Sequence, residues 1–216
     1  MNNQEALDTL NDIRKMMEKS SRFVSLNGAS AIVIGLYSCL AAIIAYYILG
    51  GISPLSETSS IPILQINTPG RLRILLIFAA ILIGICLLTV ILMCRHKALK
   101  NNSPFGLDRT AKRLLWNFFL PLTAGGIFCL AMLYQQHYGL TSSIMLIFYG
   151  IALINASNYT YSNTRYLGYT ELALGLADSF IEGYALLFWT VGFGIFHIIY
   201  GIWFHFKFEK QAASVA

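Results

Sequence analysis

The sequence predicts an all-α, polytopic membrane bundle of six transmembrane helices with both termini cytoplasmic and an amphipathic helix at the N-terminus. Three observations predict it. Of 216 residues, 56% are hydrophobic and only 12% charged, about half the ~25% charge of a soluble domain. The mean hydropathy is +0.63. The charges are bunched between apolar stretches, several of them close to the ~20 residues that cross a hydrocarbon core. This composition excludes a soluble globular domain, a disordered chain and a nucleic-acid-binding module; the net charge of +5 sits at segment ends and in one loop, as topology signals do.

Residues 1–22 form a cytoplasmic lead-in. Within it Leu7, Leu10, Ile13 and Met17 recur at helical spacing opposite Asp8, Asp12, Lys15 and Lys19, the pattern of an amphipathic helix that lies on a membrane face or runs into the first span. The transmembrane domain covers 23–206. Its first span, near 23–49, stops at Gly50-Gly51, and a polar loop punctuated by Pro54, Pro62 and Pro69 follows. The second, 74–93, is almost entirely Leu, Ile and Ala. A basic loop then leads to the third span, 114–134, which carries Pro121 and so leaves the Asn117 carbonyl without its helical donor. The fourth and fifth lie near 141–157 and 166–181. The sixth, 184–206, is aromatic-rich, and a cytoplasmic tail, 207–216, closes the chain.

Orientation follows from the cations. Arg14, Lys15, Lys19 and Arg22, then Arg95, Lys97, Lys100, Arg109, Lys112 and Arg113, then Arg165, Lys207 and Lys210 all fall on one side of a six-span path. Only Arg71 and Arg73 fall on the other. The positive-inside rule makes the rich side cytoplasmic. The same basic loop is a candidate contact for anionic lipid or a partner protein through Arg95, Lys97, Lys100, Lys112 and Arg113.

Two acids stand where acids are expensive. A charge inside the hydrocarbon costs about 2.5–3.5 kcal/mol on insertion scales, yet the fifth span contains Glu171 and Asp178. At 100° per residue Gly168, Glu171, Gly175, Asp178 and Glu182 share one face, opposite Leu172, Leu174 and Leu176. Small residues allow close helix approach and acids then need donors. The sixth span offers a matching stripe of Thr190, Gly194, His197, Gly201 and His205, and a hairpin through Gly183 sets the two face to face. His197 is the expected partner of Glu171 or of Asp178. Asn155 and Asn158, with Asn27 and Ser30, are candidates to extend the network. Three readings compete for the stripe: a self-satisfied network that fixes helix register, a route or site for a ligand, ion or proton, and an interfacial segment too short to span.

No catalytic constellation accompanies it. There is no HExxH, GxSxG or P-loop motif. Cys39, Cys86, Cys94 and Cys129 lie in apolar stretches without metal spacing, and His96, His137, His197 and His205 offer no two mid-membrane ligands at one depth for a haem. No metal or cofactor is expected.

The stretches IRKMMEKSSRFVSLNG (13–28), YGIALINASNYT (149–160), RYLGYTELALGL (165–176) and WTVGFGIFHIIYGIWFHFKFE (189–209) resemble segments of an uncharacterised bacterial six-helix integral membrane protein family, often encoded beside a winged-helix regulator. Asn27 and Asn158 stand where that family pattern has Ser and Lys. The resemblance implies a bacterial inner-membrane protein and hints at sensing or regulation. The reading that follows is a non-enzymatic sensory, regulatory or partner-binding membrane protein, with a cytoplasmic partner or a homo-oligomer as its company. The alternative is a small transporter or channel component that uses Glu171 and Asp178.

Overall fold

In the computed structural model, residues 28–49, 69–100, 109–160, 163–181 and 183–206 are described, and among them the chain is helical with no strand. The amphipathic lead-in 1–22, residues 23–27, Glu182 and the tail 207–216 lie outside the described residues. The helices are α1 (Gly28–Ile48), α2 (Pro69–Lys100), α3 (Arg109–Tyr134), α4 (Thr141–Ala156), α5 (Thr164–Asp178) and α6 (Ala185–Phe204). A 3-10 turn, Tyr138–Leu140, leads into α4. Among the described residues five helices are long and apolar enough to cross a membrane: α1, α2 from Leu72 to His96, α3, α4 with its leading turn, and α6. Together they mark a multi-pass membrane protein. With 15 residues, α5 is about 22 Å long at 1.5 Å per residue.

Helices α2 and α3 begin earlier than their apolar runs, and α2 also ends later, because the charged residues flanking those runs continue the helix. Pro121 is accommodated inside α3, which stays helical through it. Large apolar side chains line the outside of α2, among them Ile74, Ile77, Ile81, Leu88 and Leu92. This is the surface expected of a helix bathed in lipid, where exposed hydrocarbon carries no penalty.

Glycine sets the helix spacing in the interior. A Cβ on Gly150 would stand 2.7 Å from the Gly168 carbonyl, and one on Gly168 would stand 2.8 Å from the Gly150 carbonyl. The backbones of α4 and α5 therefore touch at this pair. Between α1 and α6 the same device appears twice: a Cβ on Gly28 would lie 2.9 Å from the Gly201 carbonyl, and one on Gly35 2.7 Å from that of Gly194. These are close approaches of small-residue type, which lend packing to helices that gain nothing from the hydrophobic effect in lipid. The order of paired residues shows α1 antiparallel to α6 and α4 antiparallel to α5. Helices α4 and α6 run parallel, since Leu146 meets Gly192 and Tyr149 meets His197. The expected hairpin between α5 and α6 turns at Gly183, whose φ of +89° is open to glycine at little cost.

Candidate functional site

One face of α5 carries the site. Thr164, Gly168, Glu171, Gly175 and Asp178 are all buried, a repeat of three and four residues that keeps them on one stripe. The acids face inward, as the sequence predicts. The opposing leucines divide: Leu176 is exposed, while Leu172 and Leu174 are half-buried against α4 and α6.

Glu171 lies at the midpoint of α5 and is 0% exposed; His197 is 2% exposed. The imidazole Nδ1 stands 3.4 Å from Glu171 Oε1 and 3.1 Å from the Gly192 carbonyl oxygen. Its Nε2 is 2.7 Å from the Tyr149 hydroxyl of α4. With Nδ1–H donating to Gly192, Nε2 accepts from Tyr149, so both ring nitrogens are engaged. Neither carboxyl oxygen of Glu171 has a hydrogen bond among the described residues. Oε1 has only the longer approach to His197. Oε2 faces the bare Cα of Gly192, where a Cβ would come within 2.5 Å of it, and the tips of Leu146 and Leu174 close the same spot.

The backbone of α6 helps to build this arrangement. Thr190–Phe196 is a π-helix flanked by α-helical turns. Widening the turn to i→i+5 makes residues five apart neighbours along the helix, which brings the Gly192 carbonyl beneath the His197 ring. Tyr149 and Phe193 flank the imidazole with ring centroids at 5.4 and 6.1 Å, and Trp189 packs on Phe193 at 5.2 Å.

Asp178 belongs to a separate contact. Its Oδ2 accepts the hydroxyls of Ser142, at very short range, and of Ser143 at 2.8 Å. Both serines lie in the first turn of α4, whose positive dipole end suits an acid. The other oxygen, Oδ1, has no partner among the described residues. Toward the opposite end Thr164 pairs with Tyr200 at 3.1 Å. Along α5 the described residues thus form three polar layers, at Thr164, Glu171 and Asp178. Each is two turns, about 10 Å, from the next, and they are separated by the close glycine contacts of Gly168 and Gly175.

Of the residues singled out in the sequence, Glu171 and His197 come together, and Asp178 turns to α4 instead. Asn155 is half-buried on α4. Six residues past Tyr149, it lies about 120° off that residue's face, and no side-chain hydrogen bond joins it to the cluster. Asn158 is exposed in the following turn, and Ser30 is buried on α1. The α6 stripe also divides: His197 faces α4 and α5, whereas Gly194 and Gly201 face α1 and His205 is exposed. Residues three apart on a helix differ by about 60°, enough to serve two neighbours. Arg95, Lys100, Lys112 and Arg113 are exposed at the ends of α2 and α3; the side chain of Lys97 lies outside the described part.

Sequence reasoning missed Ser142, Ser143, Tyr149, Gly192, Thr164 and Tyr200. Paired serines at the start of an apolar run were a readable signal for the Asp178 contact. The π-helix had only the small residues of TVGFG to announce it. Comparisons with protein-family models, curated proteins and solved structures found no match.

Proposed function

We propose that this is a six-span protein of the bacterial inner membrane with both termini in the cytoplasm, of the uncharacterised family its sequence resembles. Its role is sensory or regulatory rather than enzymatic, and the Glu171–His197–Tyr149 network is the part that responds. The parallel course of α4 and α6 supports the sixth span: the chain has to cross back between them, and α5 is the stretch that runs antiparallel to α4. Thirteen of the 15 Lys and Arg residues then fall on the cytoplasmic side. The N-terminal helix and the basic loop are the surfaces for a partner protein or anionic lipid.

The observation that carries the sensory reading is Glu171. An acid held at the centre of a packed bundle, with neither oxygen hydrogen-bonded among the described residues, costs stability that an apolar residue would not. Such intramembrane acids mark functional positions by default. A transport route receives less support. Glu171 and Asp178 have different partners, and the Gly175 contact with Ile147 and Leu146 lies between them.

The test is reconstitution of the full chain in sealed liposomes. The expected result is no flux of H⁺, Na⁺ or K⁺ above that of empty vesicles. A flux abolished by Glu171→Gln would replace the sensory reading with transport.

A further inference from the structure

We infer that Glu171 and His197 form a binding site for one exchangeable proton, and that its gain or loss moves the π-helical part of α6 against α1. The inference rests on the sensory reading of this network and names its ligand.

Proton counting comes first. A carboxylate beside a neutral imidazole leaves an uncompensated negative charge among hydrocarbon. A carboxylic acid beside an imidazolium leaves an uncompensated positive one. The pair is neutral only when it holds a single proton between the two residues, on either partner, and buried charge is costly enough to favour that count. Among the described residues the titratable neighbour in contact with the pair is Tyr149 of α4, with Tyr200 of α6 and Cys86 of α2 near Tyr149 in turn. Asp178 is two turns away with its own serines. The proton balance therefore belongs to Glu171 and His197.

Size comes second. Oε2 abuts the Gly192 Cα with the tips of Leu146 and Leu174 beside it, so hydrocarbon faces this carboxyl oxygen. Among the described residues no group of three His, Cys, Asp or Glu side chains is placed to hold a metal. A proton needs neither space nor further ligands.

The readout is built into α6. Nδ1 of His197 divides its attention between Glu171 Oε1 at 3.4 Å and the Gly192 carbonyl at 3.1 Å. An extra or missing proton changes which of them it holds, and so changes what fixes the π turn. Two residues on, Gly194 lies against α1, where a Cβ would meet Cys39 Sγ at 2.6 Å. Any shift of the π segment alters the cover over the Cys39 thiol, which is free.

The experiment uses full-length protein in lipid nanodiscs, with Cys86, Cys94 and Cys129 replaced by Ala. Difference infrared spectra are recorded from mildly acidic to alkaline buffer in H₂O and D₂O, with ¹³C-labelled glutamate to separate Glu171 from Asp178. Cys39 alkylation is timed in parallel, each rate being divided by that of free cysteine at the same pH to remove the ordinary growth of the thiolate with pH. The expected result is one titration step in a glutamate carboxyl band that shifts in D₂O. A several-fold change in Cys39 alkylation accompanies it, and Glu171→Gln and His197→Gln both abolish the change. No glutamate step in the wild type overturns the site, as does Na⁺ or Zn²⁺ reproducing the Cys39 change at constant pH. A step with flat Cys39 kinetics overturns the coupling to α6. All these readouts are taken without a gradient, so they fail or succeed independently of the flux test.

Discussion

Three glycine-to-alanine substitutions test whether backbone contact, rather than glycine content, holds the bundle together. A methyl on Gly168 would stand 2.8 Å from the Gly150 carbonyl and 3.0 Å from the Ile154 amide nitrogen. Much of what it meets is backbone, so α4 and α5 have to separate. Overpacking of this kind costs about 1–3 kcal/mol, and because two of the three nearest atoms are backbone, beside the Ile154 side chain, Gly168→Ala belongs near the top of that range. On Gly192 the methyl meets the tips of Leu146, Glu171 and Leu174. Those ends can rotate, so Gly192→Ala belongs near the lower end, about 1 kcal/mol. A methyl on Gly126 would meet nothing within 4 Å, and Gly126→Ala gains roughly 1 kcal/mol of helix propensity. At roughly 2–4 °C per kcal/mol for a chain of this size, Gly168→Ala lowers the melting temperature by about 6–12 °C. Gly192→Ala lowers it by about 2–4 °C on the same scale, and Gly126→Ala does not lower it. The assay is thermal unfolding followed by size-exclusion chromatography in one detergent. If Gly168→Ala melts with Gly126→Ala, the α4–α5 contact is not what sets the bundle, and the account of its spacing is wrong.

Glu171→Leu replaces a buried acid lacking hydrogen bonds by hydrocarbon of similar size, and is expected to raise stability by about 1–3 kcal/mol, read in the same melting assay. Tyr149→Phe removes the hydroxyl opposite Nε2 and keeps the ring packing, so a loss of about 1–3 kcal/mol is expected from leaving buried Nε2 without a donor; no loss would mean that this hydrogen bond is not made. Replacing Ser142 and Ser143 together by Ala strips Asp178 of two donors, at about 1–3 kcal/mol for leaving a buried acceptor unpaired. Adding Asp178→Asn recovers part of that loss. Changing Lys100, Lys112 and Arg113 to Gln is expected to reduce the anionic lipid that stays with the protein in native mass spectrometry, and unchanged lipid would remove the loop as a lipid contact.

What was legible in the sequence is what periodicity and charge encode. The helical class and the five long apolar segments followed from runs of Leu, Ile and Ala. The buried face of α5 followed from the spacing of Gly168, Glu171, Gly175 and Asp178. His197 emerged as a partner because it is the polar residue in mid-span on α6. Which acid it would meet was not legible, since the choice depends on how far α6 slides along α5, and the contacts of both helices with α4, Gly150 on Gly168 and Leu146 on Gly192, fix that register from outside the pair. Tyr149 was hidden because an aromatic in a span reads as packing, and its hydroxyl acquires meaning only when α4 and α6 run parallel. The π-helix was invisible because its cause is the tertiary environment and its residues are ordinary helix residues.

The position of Glu171 at the middle of its helix has an electrical consequence. In the six-span arrangement the residue lies about halfway across the hydrocarbon. One elementary charge crossing the whole membrane is worth ~2.3 kcal/mol per 100 mV, so a proton that reaches Glu171 from one side crosses about half of that drop. The membrane potential then adds or removes about 1.2 kcal/mol per 100 mV, a factor of about seven in the binding constant. Access from the cytoplasm and access from outside give opposite signs. A bundle with a single mid-depth proton site therefore reports a combination of local acidity and voltage, and the sign of its response to a potential jump reveals which side the proton comes from.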